Sequence, residues 1–426
     1  MFSKSSWKIV SVLLVFVLVL TACATPAAPA ATEAPVATEA PAATEAPAAT
    51  EAPAVDEPFI IGILTVGPIT DNGWSTATYL GTKYVESKIS GSEVIYAENV
   101  NTSANPNTTA AQFAEQLLEH GAKVVIFNSD DMKDGVTEFT AAHPDVPVIW
   151  LSGDFAWEDG MRYQPDMKSE SDLMGRMEYG KMIAGCAAAL TTKTGKIGFV
   201  GPLVNDETRR LAAAAYLGAD YCWKNIANQT TPLDFSVTWI GMWFNIPGFT
   251  LDPTQVTDQY FTSGYDVVMS GIDSTEVVTE AKKFRDQGED VYAVQYDYEK
   301  ACDVANDACL GVPYFNWGVM MLPVIQSIKD GTYQRTFVWG GPDWNDINNP
   351  DTSVIGYMKS AGLSEENSVK LDGFITELAG GLNLWKGPLN YIDGTEFLAD
   401  GVEATDLQVW YLPQLLEGMT SAGITE

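Results

Sequence analysis

Histidine is nearly missing from this chain: His120 and His143 are the only two in 426 residues. Two imidazoles are too few for a metal cluster, and no zinc-type Cys/His spacing occurs. Basic charge is also scarce, with 24 Lys and Arg against 56 Asp and Glu and a formal net charge of −32. Such a surface repels phosphate backbones and anionic headgroups, which argues against nucleic-acid binding and disfavours a polyanionic ligand. The Gly-x-Ser-x-Gly elbow, the Gly-rich phosphate loop ending in Lys-Ser/Thr and the His-Glu-x-x-His helix are all absent, leaving the commonest hydrolytic chemistries without a foothold. No catalytic residue, metal site or cofactor is therefore assigned. After residue 22 no apolar run approaches the ~20 residues of a membrane helix, which excludes a channel.

What is present begins with residues 1–58. Lys4 and Lys8 precede Ile9–Leu20, an apolar run of about twelve residues, too short to span a bilayer. Leu20-Thr21-Ala22-Cys23 follows. A charged start, a short greasy run and small residues before a cut site mark an export signal. With a cysteine at that site the segment resembles a bacterial lipoprotein signal, which implies cleavage of residues 1–22 and lipidation of Cys23. Thr-Glu-Ala-Pro then recurs at Thr32–Pro35, Thr38–Pro41, Thr44–Pro47 and Thr50–Pro53. Regular prolines block helix and sheet, so residues 23–58 are expected to form an extended linker reaching on the order of 100 Å. The expectation is a body on the extracytoplasmic side, held to the cell membrane by its N-terminal lipid alone.

The remaining chain of about 370 residues suits two lobes. Four cysteines lie in it: Cys186, Cys222, Cys302 and Cys309. In an exported protein an even count suggests two disulfides. Cys302 and Cys309 are near enough in sequence to staple one loop, leaving Cys186 for Cys222; other pairings and free buried thiols stay open.

Strand-like runs alternate with helix-like ones. Phe59–Val66, Val94–Ala97, Lys123–Asn128, Val146–Leu151, Lys196–Val200, Ser236–Ile240, Val267–Ser270 and Val291–Gln295 read as strands. Between them Trp74–Ile89, Ala110–His120, Asp172–Leu190, Glu207–Asn225, Thr254–Ser263 and Ser274–Asp286 read as helices. This order predicts an α/β molecule with doubly wound parallel sheets, whose ligands gather beyond the carboxyl ends of strands. At those ends stand Asp71, Trp74, Asn128, Asp130, Asp131, Asp154, Trp239, Trp243, Ser270, Asp273 and Asp297. Flat rings with single carboxylates or amides suit a planar heterocycle, stacked on its faces and hydrogen-bonded along its edge. For any one tryptophan, ordinary packing within a lobe is the competing account.

Asp71-Asn72-Gly73-Trp74-Ser75, Met182-Ile183-Ala184-Gly185 and the run Thr194–Gly201 resemble the basic membrane protein family of ABC-transporter substrate-binding lipoproteins. Further similarity lies in Gly264-Tyr265-Asp266-Val267-Val268, Asn316-Trp317, Gly340-Gly341 and Trp385-Lys386-Gly387-Pro388-Leu389. The resemblance implies the type I periplasmic-binding-protein fold, with a hinge crossed three times, near residues 165, 298 and 335. Lobe 1 would then hold 59–165 and 298–335, and lobe 2 would hold 166–297 and 336–426.

The Asp-x-Gly-Trp form and the Gly-Pro-Leu ending look most like the branch that binds purine bases or nucleosides. By position, the resemblance makes Trp74 and Trp243 the two stacking rings and Asn128 the residue that reads the base edge. It makes Asp273 and Asp297 polar groups near the hinge and Asn316 one on the returning segment. Asn245–Leu251 interrupts the family's usual step from that second aromatic to Asp-Pro, and Ser75 stands where the nucleoside-binding branch often has Asn. A base with little sugar contact is the narrow preference. The implied partners are an ABC permease with its ATPase, the protein itself acting as a monomer. A sugar, a signalling molecule, or a sensory role for the same fold are the alternatives.

Overall fold

The computed structural model describes residues 57–425. The export signal, Cys23 and nearly all of the linker lie outside those residues. In the first part of the described chain, β1 (Phe59–Leu64), α1 (Trp74–Lys88), β2 (Ser92–Ala97), α2 (Ala110–Glu119), β3 (Ala122–Phe127), α3 (Lys133–Ala142), β4 (Val148–Leu151) and β5 (Glu170–Gly175) succeed one another. Next come α4 (Met177–Thr191), β6 (Lys196–Gly201), α5 (Asp206–Asn225), β7 (Asp234–Trp239), α6 (Pro253–Thr262), β8 (Val267–Ser270), α7 (Glu276–Asp286) and β9 (Tyr292–Val294). The rest is β10 (Gly311–Phe315), α8 (Trp317–Lys329), β11 (Phe337–Gly340), β12 (Ile355–Lys359), α9 (Glu365–Ala379), β13 (Leu389–Asn390), β14 (Glu396–Leu398), α10 (Asp406–Trp410) and β15 (Met419–Gly423).

Two parallel sheets result. One has six strands in the order β11-β5-β4-β3-β1-β2, the other five in the order β15-β7-β6-β8-β9. Central strands such as β1, β3 and β6 are buried on both faces, which is why they read as continuous apolar runs rather than alternating ones. Helix starts carry their own signals. Thr109 and Gln112 form a reciprocal cap before α2, Asn205 and Thr208 another before α5, and Asp252 caps α6 with Pro253 in its first turn.

One element differs in kind from the sequence expectation. Asp172–Leu190 was expected as one helix, yet Glu170–Gly175 is a fully buried strand and the helix begins at Met177. The polar run Glu-Ser-Asp looks like a helix cap but sits inside a sheet, where one oxygen of each carboxylate has a partner and the other has none. Glu170 Oε2 lies 3.4 Å from Arg335 Nη2, and Asp172 accepts from the Ala156 amide.

The lobe boundaries move with that strand. β5 belongs to the first sheet, so the first crossing follows Gly175 rather than falling near 165. Ala301, Cys302, Ala308 and Cys309 pack with Val268 and Val277 of the second lobe, so the second crossing follows Phe315 rather than 298. β11 pairs with β5, which moves the third crossing from 335 to beyond Gly340.

Cys186 is bonded to Cys222 and Cys302 to Cys309. The first pair joins α4 to α5, whose axes come close because two glycines face across the seam. A Cβ on Gly185 would lie 1.9 Å from the Ala215 carbonyl oxygen, and one on Gly218 2.0 Å from that of Met182. Among the described residues no helix is long and apolar enough to cross a membrane.

Candidate functional site

The carboxyl ends of both sheets face a common cleft. A narrow, nearly closed cavity is lined by Trp74, Ser129, Asp130 and Ser152 from the first lobe, and by Glu207, Trp243, Asp273 and Tyr296 from the second. Four expected residues, Trp74, Asp130, Trp243 and Asp273, are thus brought together. A charged chamber with about 610 Å3 of empty space adjoins this aromatic one and shares Asp130, Ser152 and Glu207 with it. Lys133, Asp154, Arg162, Asp206 and Trp410 are among its other walls.

Each indole is held differently. Trp74 opens α1, donates from Nε1 to the Asn128 carbonyl, and meets Phe315 and Trp317 edge-on at 5.3 and 5.0 Å between ring centroids. Trp243 lies on the loop after β7; its carbonyl accepts from the Asp273 amide at 2.9 Å. Its Nε1 donates across the cleft to Asp131 Oδ1 at 3.3 Å.

Other expected residues serve the framework around the cavity. Asp71 accepts from the amides of Gly73, Ser75 and Thr76 at 2.8–2.9 Å, so its carboxylate fixes the start of α1. Ser75 is fully buried and its hydroxyl accepts from the Gly67 amide at 3.0 Å. The side chain of Asn128, expected to read a ligand edge, is committed instead to Val66 N and Thr78 Oγ1, each at 2.9 Å. Asp154 accepts from Arg162, Trp410 and Tyr411. Asn316 lines a different pocket and braces the hinge by donating to the carbonyls of Pro350 and Ser353. Asp297 is wholly buried beneath the cavity, its two carboxylate oxygens without a partner and its φ at 73°.

Sequence reasoning passed over Ser129, Ser152, Glu207 and Tyr296 as site residues. Ser152 directly follows β4, Ser129 and Tyr296 come two residues after β3 and β9, and Glu207 lies in the first turn of the helix after β6. The strand-end rule that found Trp243 would have reached all four.

Charge in the cleft is lower than the count of acids suggests. Burial pushes the Asp273 carboxyl well above the usual range, and the negative charges of Asp297 and Asp71 push it further. Burial likewise raises Glu207 to about 7, against the pull of Arg210. It raises Asp297 too, opposed by Lys181. Lys181, itself wholly buried, is lowered to about 7; its Nζ donates to the Ser270 carbonyl at 2.8 Å and lies 3.2 Å from the centre of the Tyr296 ring. Protonated carboxyls donate as well as accept. A wall of that kind can match a ring edge that alternates acceptor nitrogens with donor N–H groups.

Comparison with known proteins supplies the family and the fold. A purine-binding protein of Brucella abortus is 25% identical over 356 residues, 82% of this chain and 90% of its own length. A Haloferax volcanii protein named as an ABC transporter glucose-binding protein is 23% identical over 336 residues, covering 78% of this chain and 75% of its own. An ABC-transporter solute-binding protein of Aeropyrum pernix shares 11% identity but superposes with a TM-score of 0.59 over 84% of this chain and all of its own. That likeness gives the fold: two lobes of the type I periplasmic-binding-protein kind. Residues 60–348 match the model of a family described as ABC transporter substrate-binding protein PnrA-like, a match that stops short of Trp385–Leu389. The chain belongs to that PnrA-like family of ABC transporter substrate-binding proteins.

Proposed function

We propose that the protein captures a purine base or nucleoside between its lobes and hands it to an ABC permease driven by its ATPase. The observation that carries the reading is one cavity lined by Trp74 from one lobe and Trp243 from the other, with Asp130, Glu207 and Asp273 at its rim. Each ring stacked on a flat ligand is worth ~1 kcal/mol beyond the area it buries. Specificity follows from the rim, because a wrong edge leaves buried polar groups unpaired at a cost of ~1–3 kcal/mol each. The adjoining chamber offers room for a sugar. The name of the Brucella relative supports a purine, and that of the Haloferax relative supports glucose as the second reading, since aromatic rings also stack on sugars.

Capture and delivery involve no covalent change in the ligand. Lipidation at Cys23 and the tract up to residue 58 would tether a monomer to the extracytoplasmic face of the membrane. Mass spectrometry of what co-purifies, followed by calorimetry with adenine, guanine, hypoxanthine, adenosine and glucose, tests the reading. Binding of one or more of the purines with no heat from glucose is the expected result; tight glucose binding with silent purines overturns it.

A further inference from the structure

Residues 349–426 lie beyond the stretch matched by the family model, yet part of them reaches the binding cleft. Thr405 and Gln408 form a reciprocal cap at the start of α10, which fixes how that short helix enters. Neighbouring side chains then serve different lobes. Val409 and Leu412 pack in the core of the second lobe, while Trp410 and Tyr411 pack in that of the first. Arg209 of α5 holds the segment from its own side, its Nε donating to the Leu412 carbonyl at 2.8 Å.

On the other side everything converges on one carboxylate oxygen of the first lobe. Asp154 Oδ2 accepts from the Tyr411 hydroxyl at 2.7 Å, from Arg162 Nη1 at 3.0 Å and from Trp410 Nε1 at 3.2 Å. The second Arg162 nitrogen pairs with Asp206 at the start of α5, so the guanidinium links the lobes as well. Met161 N donates to the Tyr411 hydroxyl at 2.9 Å, and the Trp157 ring lies parallel to that of Tyr411, 6.0 Å between centroids. Asp154 is 3% exposed, so each donor withdrawn leaves a buried charge less satisfied.

We propose that α10 and Tyr411 act as a clasp, which closes the cleft by binding Asp154 of the opposite lobe and thereby sets how long a captured molecule stays. Tyr411, Trp410 and Arg162 are positioning residues in this scheme. They hold the lobes rather than the ligand. Opening the cleft carries the second lobe away from Asp154, so the hinge cannot swing freely while those donors remain in place. The inference rests on the reading of the cleft as a capture site but does not need the ligand to be a purine.

The test uses spin labels on Glu119→Cys and Gln287→Cys, two exposed positions on opposite lobes, in a Cys23→Ser chain. Tyr411→Phe keeps the ring stack and removes only the hydroxyl, while Arg162→Gln removes the bridge to Asp206. The expected result is a shift of the unliganded label distance to longer values in each variant. Release of adenine or guanine in a stopped-flow experiment should speed up about threefold for Tyr411→Phe and at least tenfold for the double variant Tyr411→Phe with Arg162→Gln. Unchanged label distances and release rates in both variants overturn the clasp. If neither purine binds the parent chain, it is the purine reading that fails, and the label distances alone decide the clasp.

Discussion

Trp74 and Trp243 share a cavity but have unlike surroundings, and the difference governs what their removal does. Trp74 is packed into the first-lobe core beside Phe315 and Trp317, so truncating it removes packing as well as a stacking surface. Trp243 meets the first lobe through Asp131 and otherwise faces the cleft. Trp243→Ala is therefore expected to weaken purine binding at least tenfold while the unliganded melting temperature holds. Trp74→Ala is expected to lose the same affinity and also ~3 kcal/mol of stability. Calorimetric titration beside thermal melts checks both; an equal loss of stability in the two variants would assign Trp243 to the core as well. A sequence cannot separate such residues, because both are tryptophans just beyond a strand. The same ambiguity governs Asn128 and Asp71. Polar side chains at strand ends satisfy stray backbone amides as readily as they read ligands, and only the fold says which amides are in reach.

At the scale of elements, the pattern of apolar runs located β1 to β4 and β6 to β9 because parallel strands must be buried on both faces, though it passed over α3. It failed at β5, where Glu170 and Asp172 are tolerated inside a sheet only through Arg335 and a backbone amide distant in sequence. The chain after Gln295 was legible mainly through scattered motifs, since short pieces such as β13, β14 and α10 carry too few residues to show a period. The α4–α5 pair offers a sharper test of element packing. Its disulfide spans 36 residues, and closing a loop of that size in the unfolded chain is worth about 4 kcal/mol in the entropic account. Cys186→Ala with Cys222→Ala should lower stability by roughly that much. The pair Cys302 and Cys309, seven residues apart, should cost about two-thirds as much when replaced. Denaturant melts of both double variants would rank them, and the reverse order would count against the loop argument.

For the whole molecule, one close approach of the two lobes is at Gly73. A Cβ there would lie 2.0 Å from the Asp273 carbonyl oxygen of the opposite lobe, nearer than any real contact. Nothing on the glycine's own lobe creates that clash, so it exists only while the cleft is shut. Gly73→Ala is thus expected to cut ligand affinity at least tenfold, with melting of the unliganded protein little altered. Affinity equal to that of the parent chain would mean that capture does not require this degree of closure. The Asp-x-Gly-Trp motif was visible in the sequence from the outset. The task of its glycine emerges only when a second lobe stands opposite.

β15, residues 419–423, lies along β7 and forms one border of the five-stranded sheet. Until those residues leave the ribosome, β7 displays a bare row of amides and carbonyls, an invitation to strand addition by any neighbouring chain. The second lobe cannot finish assembling until residue 423 has emerged, whereas every strand of the first is complete some eighty residues earlier. A nick or premature stop before Met419 would consequently produce a sticky half-made partner rather than a merely weaker binder.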